Sequence, residues 1–449
     1  VSPPAPGASP SSDGGRLPLA EDEVVGLARD LIRIDTTNTG DPDTLAGERV
    51  AAEYVAARLT DAGFDPTYVE AGARLRGNVV VRLPGRDPSA GALLVHAHLD
   101  VVPAVAAEWS VHPLSGEVAG GYLWGRGAVD MKQMAAMALA VACRLRAEGV
   151  RPRRDVVFAF LSDEECGGRF GARWLVDHRP DLFDGVTEAL GEVGGFSVTL
   201  APGTRAYLVQ TAEKAAVRLR LRARGTPGHG SLVHADNPVR RLAEAVTRLE
   251  RHRFPTVLTP AARGLLDGIR RITGLDYPVD DPAAAAALPG LVARLVEPTL
   301  RDTVNVTRLE AGYADNVVPS LAQAVADCRV LPGRWEAFEA DLAEILHDVE
   351  WEVEGMPAVE TGFTGDLVDA VLQAIEAEDP GAHVLPYLLP ASTDAKSFAL
   401  LGIRHLGVAP LRLPPDLDFA ALFHGIDERV PVEALTFGTR VLERLLRAC

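Results

Sequence analysis

The chain is poor in aromatic residues, at 6% of 449, and has only four methionines and four cysteines. The cysteines, Cys143, Cys166, Cys328 and Cys449, form no CxxC pair. That excludes a zinc ribbon and a thioredoxin-type redox site. Four scattered thiols in a chain this long also exclude a disulfide-stapled scaffold and suit the cytosol. Long apolar runs are missing too. The stretch from Met134 to Cys143 is far below the ~20 residues that span a bilayer. Positive charge is scarce: 45 Lys and Arg stand against 62 Asp and Glu, giving −17. Nucleic acid and anionic membranes both need a basic face, so neither is an expected partner. The first residues, VSPPAPGASPSSDGG, have no basic start and no apolar stretch, so they do not read as a secretory leader. Their Pro/Ser/Gly content predicts a flexible arm over 1–19. The localisation expected is cytoplasmic, with a removed leader left open.

What is present is a normal apolar fraction, 47%, ample for a core. Helical spacing covers Glu21–Ile34 and Gly47–Ala62. Short β-like runs follow at Asn78–Leu83, Ala92–Asp100, Asp155–Ser162 and Val186–Glu192, with helical stretches at Met131–Glu148 and Gly171–His178 between them. Apolar strands alternating with helices predict an α/β domain with a mixed, largely parallel sheet flanked by helices. The pattern changes near residue 208. Ala215–Arg224 reads AAVRLRLRAR, apolar and basic in alternation, as in a strand with one wet face. A helix at Pro238–His252, strands at Thr303–Glu310 and Leu321–Leu331, a helix at Trp335–Val349 and a strand at Glu350–Val359 complete a βαββαβ order. That order predicts a ferredoxin-like α+β insert. Pro255–Pro298, rich in Ala, Pro and Gly, reads as an elaboration of it. Helix–strand alternation returns from about Gly365. The expected organisation is therefore 20–208 and 363–449 as one interrupted domain, with 209–362 inserted.

The chemistry-bearing residues sit where the predicted strands end. In Ala92-Leu-Leu-Val-His-Ala-His98-Leu-Asp100, a spacing of two puts His98 and Asp100 on one face. One can then hold a metal while the other orients its ring. His96, deeper on that face, reads as structural, and a lone strand-end histidine is as often structural as a ligand. In Gly125-Arg-Gly-Ala-Val-Asp130-Met-Lys132, Asp130 stands where a dinucleotide loop needs its third glycine. A Rossmann reading fails, and an ordinary N-cap is the alternative for Asp130. Ser162-Asp-Glu164-Glu165-Cys-Gly-Gly168 places acidic residues directly after a buried strand. That is costly unless they are solvated or neutralised by a cation. Glu192 ends another strand, and His424 lies in a loop before the last helix. Open α/β sheets bind ligands at this edge, and an N/O donor set of this kind suits zinc or a similar divalent ion.

Taken together and in order, these motifs resemble the co-catalytic di-zinc metallopeptidase family of aminoacylases, glutamate carboxypeptidases, acetylornithine deacetylase and succinyl-diaminopimelate desuccinylase. The resemblance implies a catalytic α/β domain interrupted by a lid or dimerisation domain. It implies two divalent ions per chain, zinc foremost with cobalt or manganese as alternatives. Asp130 would bridge them, His98 and Glu192 would complete one, and Glu165 and His424 the other. Glu164 would be the general base, and Asp100 the partner of His98. Gly225-Thr-Pro-Gly-His229-Gly-Ser231 resembles the family's lid motif, whose histidine serves the partner subunit of a homodimer. His229 would then stabilise the oxyanion in trans; composition alone makes it an exposed turn residue. His234 reads as a loop-ordering residue. Asn316 and Arg329 match further family segments near substrate, an ordinary surface ion pair being the alternative for Arg329. Lys396, in Ser392-Thr-Asp394-Ala-Lys396, stands where arginine is frequent. A lysine there lacks the bidentate fork. Gln133 and Val193 also depart from the usual glycines. The function implied is hydrolysis of the amide bond of an N-acyl amino acid. The alternatives are a carboxypeptidase or dipeptidase on short peptides, and a non-catalytic binding protein on the same scaffold.

Overall fold

A computed structural model describes residues 18–275 and 296–449. Most of the expected N-terminal arm, and 276–295 of the Pro255–Pro298 elaboration, lie outside the described residues. The chain divides into two compact units. The first runs to Gln210 and resumes over Phe363–Leu385 and Thr393–Cys449; the second holds Thr211–Gly362 and Pro386–Ser392.

The first unit is built on a mixed sheet whose middle is parallel. Its strands lie in the order Thr67–Glu70, Gly77–Leu83, Val156–Leu161, Ala92–His98, Val186–Gly191, Arg404–Gly407 and Thr204–Glu213. Val156–Leu161, Ala92–His98, Val186–Gly191 and Arg404–Gly407 pair in parallel. The flanking pairs are antiparallel. All seven residues of Ala92–His98 and all six of Val156–Leu161 are buried. Such strands read as unbroken apolar runs because helices cover both sheet faces. One face packs Leu94, Val157, Ala159 and Leu161 with Leu175, Val176 and Phe398. The helix Lys132–Ala147 packs on Ala92–His98 and against the helices Ala20–Arg33 and Val432–Ala448. Lys132 is fully buried. Its ammonium donates to the carbonyls of Leu31 and Ile34, both at 2.9 Å, anchoring the start of that helix.

The second unit has the sheet order Thr303–Ala311, Leu321–Val330, Ala215–Arg224, Glu350–Met356, antiparallel throughout. With the helices Pro238–Arg251 and Trp335–Ile345 this is the ferredoxin-like arrangement that the βαββαβ order implies. Alternation decides which side is wet. Val217, Leu219 and Leu221 enter a core with Leu242, Leu249, Phe338 and Leu342. On the opposite side Arg222 pairs with Glu352 at 2.9 Å and Arg224 with Glu350 at 3.1 Å. Among the described residues no helix is long and apolar enough to cross a membrane, and the four cysteines are free.

Candidate active site

The parallel strands of the first unit all end at one edge, and the acidic and histidine side chains gather there. His98 is the last residue of its strand and is 1% exposed. Its Nδ1 lies 3.0 Å from the Asp100 carbonyl oxygen and 3.4 Å from Asp100 Oδ1. That leaves Nε2 turned toward Asp130 Oδ1 at 3.1 Å, Glu192 Oε2 at 3.4 Å and Glu164 Oε2 at 3.9 Å. Asp130 divides its oxygens: Oδ1 faces His98, while Oδ2 lies 3.3 Å from His424 Nε2. The same His424 nitrogen is 3.1 Å from Glu165 Oε2. The peptide bonds after Asp130 and Glu192 are cis.

Asp100 does more than its spacing from His98 announces. Its carboxylate is fully buried and also accepts the main-chain N–H of Glu164 and of Glu165, each at 3.1 Å. It thus fixes the turn on which both glutamates stand. Asn38 was not visible as a functional residue in the sequence. Its amide donates to Asp100 Oδ2 at 2.9 Å and to Asp163 Oδ1 at 3.0 Å. Asp163 has the left-handed φ of 68°, tolerated by aspartate, and also accepts from Phe170 N–H at 2.9 Å. Arg76, buried and 2.6 Å from Glu48, reaches Asp163 at 3.2 Å. So the first acid of Asp163-Glu164-Glu165 is an anchor, and the other two project into the cluster. No local pattern reveals Asn38 or Arg76, because each lies far along the chain from what it holds. His96 pairs with His405 at 2.9 Å inside the core, in keeping with a structural role.

Too much negative charge is confined here for the side chains alone. Burial, then the neighbouring Glu192 carboxylate, pushes Glu164 well above the usual carboxylate range. Burial raises Glu192 to about 8. Hydrogen bonds that His424 donates to the Asp130 and Glu165 carboxylates lift it to about 10. Burial opposes ionisation of Asp130, yet His424 and His98 hold its carboxyl below the ordinary range. The common cause is a set of buried carboxylates competing for positive charge.

The donor set fits divalent cations. His98, Glu164 and Glu192 offer ligand atoms within 4.8 Å of one another, and so do His98, Asp130 and Glu165. Oε1 of Glu165 is buried with no hydrogen-bond partner among the described residues, a costly state for a carboxylate oxygen and one that a cation would relieve. Beside Glu192 lies an apolar recess lined by Val129, Phe196, Leu411, Phe419 and Phe423.

A model of peptidase family M20/M25/M40 matches residues 94–448. The chain belongs to that family. With its aminoacylase and peptidase relatives, this makes it a metal-dependent hydrolase of amide bonds, and the matched span takes in every carboxylate and histidine of the cluster. Aminoacylase-1 of Sus scrofa is 28% identical over 444 residues, 95% of each chain. Among solved structures, the M20 family metallo-carboxypeptidase Sso-CP2 of Sulfolobus solfataricus superposes with a TM-score of 0.70 at 18% identity, covering 95% of this chain and 99% of that one. Human carnosine dipeptidase 1 gives 0.68 at 15% identity, covering 95% of this chain and 96% of that one. These two show a shared fold.

The remaining candidates stand apart from the cluster in kind. His229, Asn316 and Arg329 belong to the second unit. His229 is exposed, on a short strand Gly228–His229 paired with Val317–Val318. Its Nδ1 lies 2.8 Å from Ser231 Oγ and 3.2 Å from Ser231 N–H, which leaves Nε2 outside this turn's hydrogen bonds. His234 Nε2 lies 3.0 Å from the His229 carbonyl oxygen, the loop-ordering contact expected of it. A side chain at Gly228 would collide with the His234 ring. Asn316 is exposed, and its carbonyl accepts Gly230 N–H at 2.8 Å. Arg329 gives Nε and Nη2 to Asp327, at 2.7 and 2.9 Å. Lys396 is 1% exposed within the first unit, so it does not present its ammonium to solvent.

Proposed function

We propose that this protein is a di-metal hydrolase that cleaves the amide bond of N-acyl amino acids. The observation that carries the reading is the convergence of His98, Asp130, Glu164, Glu165, Glu192 and His424 at one sheet edge in a member of a peptidase family. The similarity to an aminoacylase over nearly the whole chain supports the acyl amino acid as substrate.

His98, Asp130, Glu165, Glu192 and His424 would hold two divalent ions, with Asp130 shared. Zinc matches these nitrogen and oxygen donors best, and cobalt or manganese are the alternatives. When bound, such ions polarise the scissile carbonyl and ease deprotonation of water. The protein's own part is proton handling and alignment. Glu164 takes the proton of the attacking water at its carboxylate and passes it to the leaving nitrogen. Asp100 serves twice, turning His98 Nε2 inward and pinning the main chain of Glu164.

Residues 20–208 and 363–449 form the catalytic domain in this reading, and 209–362 a lid that also dimerises. His229 of one subunit donates through Nε2–H to the oxyanion formed in its partner. Asn316 and Arg329 approach the substrate, and Arg329 exchanges Asp327 for the substrate carboxylate. Lys396 joins them as a substrate-binding residue, a point charge rather than a bidentate fork. Free cysteines accord with a cytoplasmic enzyme. The deciding experiment supplies the protein with zinc, cobalt or manganese and measures release of amine from N-acetyl amino acids, Nε-acyl-lysine and dipeptides. Turnover confined to N-acyl amino acids is expected. Preference for dipeptides moves the reading to a dipeptidase, and no turnover of any class overturns it.

A further inference from the structure

Asp427 and Glu428 follow the His424 loop and have no task in the reading above, yet both are fully engaged. Asp427 accepts the N–H and the hydroxyl of Ser110, each at 2.7 Å. Glu428 is completely buried. Its Oε1 accepts three main-chain N–H groups of a single loop: Gly127 at 3.1 Å, Val129 at 2.6 Å and Asp130 at 3.1 Å. Its Oε2 accepts from Arg126 Nη1 at 2.7 Å. Arg126 then donates through Nη2 to the carbonyl oxygen of His424 at 3.3 Å. The Arg126 guanidinium lies 5.2 Å from the centre of the Trp109 ring, which backs the pair.

A buried ion pair is weak evidence for stability, since apolar residues of similar size often serve as well. Directionality is what this one adds. Three N–H groups converging on one oxygen fix the main chain of Asp130, and with it the aim of the Asp130 carboxylate. The other oxygen, through Arg126, holds the carbonyl of His424. That histidine needs holding: His424 and Asp427 have φ of 56° and 58°, a region that side-chain-bearing residues avoid. One carboxylate therefore governs both sides of the 3.3 Å approach between Asp130 Oδ2 and His424 Nε2. His98 ends its strand and Glu192 directly follows one; His98 meets the braced loop at Asp130 Oδ1, 3.1 Å away.

We propose that Glu428, acting with Arg126, is a positioning residue for the His424 side of the centre, setting the Asp130–His424 separation that holds one of the two divalent ions. The inference rests on the two-ion reading. Metal-free protein, Glu428→Gln and Arg126→Lys are titrated with Zn2+ against a competing chelator, and the binding events are counted and ranked. Glutamine keeps the size of Glu428 but sets its amide hydrogens against N–H donors. It should weaken one event by roughly 10–100-fold, the usual effect of removing a ligand's support, and the other, which shares Asp130 but keeps His98 and Glu192, by clearly less. Arg126→Lys keeps the charge beside Glu428 and loses the arm to His424. It should weaken the same event by less. Leu342→Ala, in the core of the other unit, should lower the melting temperature and move neither event. If both variants bind like the parent, or if both events weaken alike, the inference is wrong. If Glu428→Gln does not fold, Arg126→Lys decides alone. A parent that binds fewer than two ions overturns the two-ion reading, and the inference falls with it.

Discussion

Carboxylates meet positively charged or basic side chains in two places in this molecule, with opposite consequences. At the sheet edge of the first unit, Asp130, Glu164, Glu165 and Glu192 surround two histidines, and all but His424 are largely buried. On the open face of the second unit, Arg220, Arg222 and Arg224 alternate along one strand beside Glu350, Glu352 and Glu354 on the next, all at least a third exposed. The second array is balanced by its own cross-strand partners and by water. The first has more acid than base, a buried oxygen without a partner among the described residues, and carboxyls pushed upward by burial. The residue types are nearly the same. Burial and imbalance, not charge count, separate a reactive site from a solvated surface.

The most severe test of the contrast is Asp130→Ala. Its two oxygens face two different histidines, so one substitution removes the group that links both halves. Loss of at least one ion by metal analysis and loss of activity are expected. Retention of both ions would end the bridging assignment. Next comes Glu164→Ala, which spares every proposed ligand. Activity should fall by roughly 10²–10⁴-fold with metal content unchanged, and near-normal turnover in the fully metallated variant would remove Glu164 from the mechanism.

His229→Ala is expected to cost about 10²–10³-fold in kcat, the usual penalty for losing one oxyanion donor. Mixing it with Glu164→Ala sharpens the point. A heterodimer has one site with both groups intact, so activity should return once subunit exchange has been verified. Heterodimers that form and stay inactive would exclude action in trans.

Much of this was legible in the sequence, for a physical reason. Strands buried on both faces read as apolar runs, so Ala92–His98 and Val156–Leu161 emerged within a residue or two, and with them the edge where His98 and Glu164 stand. The alternation in Ala215–Arg224 likewise foretold a sheet with one wet face. Less visible were the short strands Glu117–Ala119, Tyr122–Trp124 and Arg429–Pro431, which have too few residues to show a period. Contacts between distant segments were invisible altogether. Asn38 reaches Asp163, and Glu428 reaches Asp130, across most of a domain's length. Chain periodicity reports which face is buried; it carries no signal for a hydrogen bond closed by the fold.

The smallest effect should come from the second array, and its smallness is the prediction. Arg222 and Glu352 lie 2.9 Å apart, with side chains 36% and 51% exposed. Their attraction works through water and is offset by the entropy of holding two long side chains, so such pairs contribute about 0.2–1 kcal/mol. A double-mutant cycle of Arg222→Ala and Glu352→Ala, read by denaturant unfolding, should give a coupling in that range that shrinks as salt is added. Catalytic constants of the same variants should stay at the parent's value, because the ladder's charges are already compensated. A coupling of several kcal/mol, insensitive to salt, would mean that this face is desolvated in the working protein. The contrast between a buried reactive cluster and an open solvated one would then no longer hold.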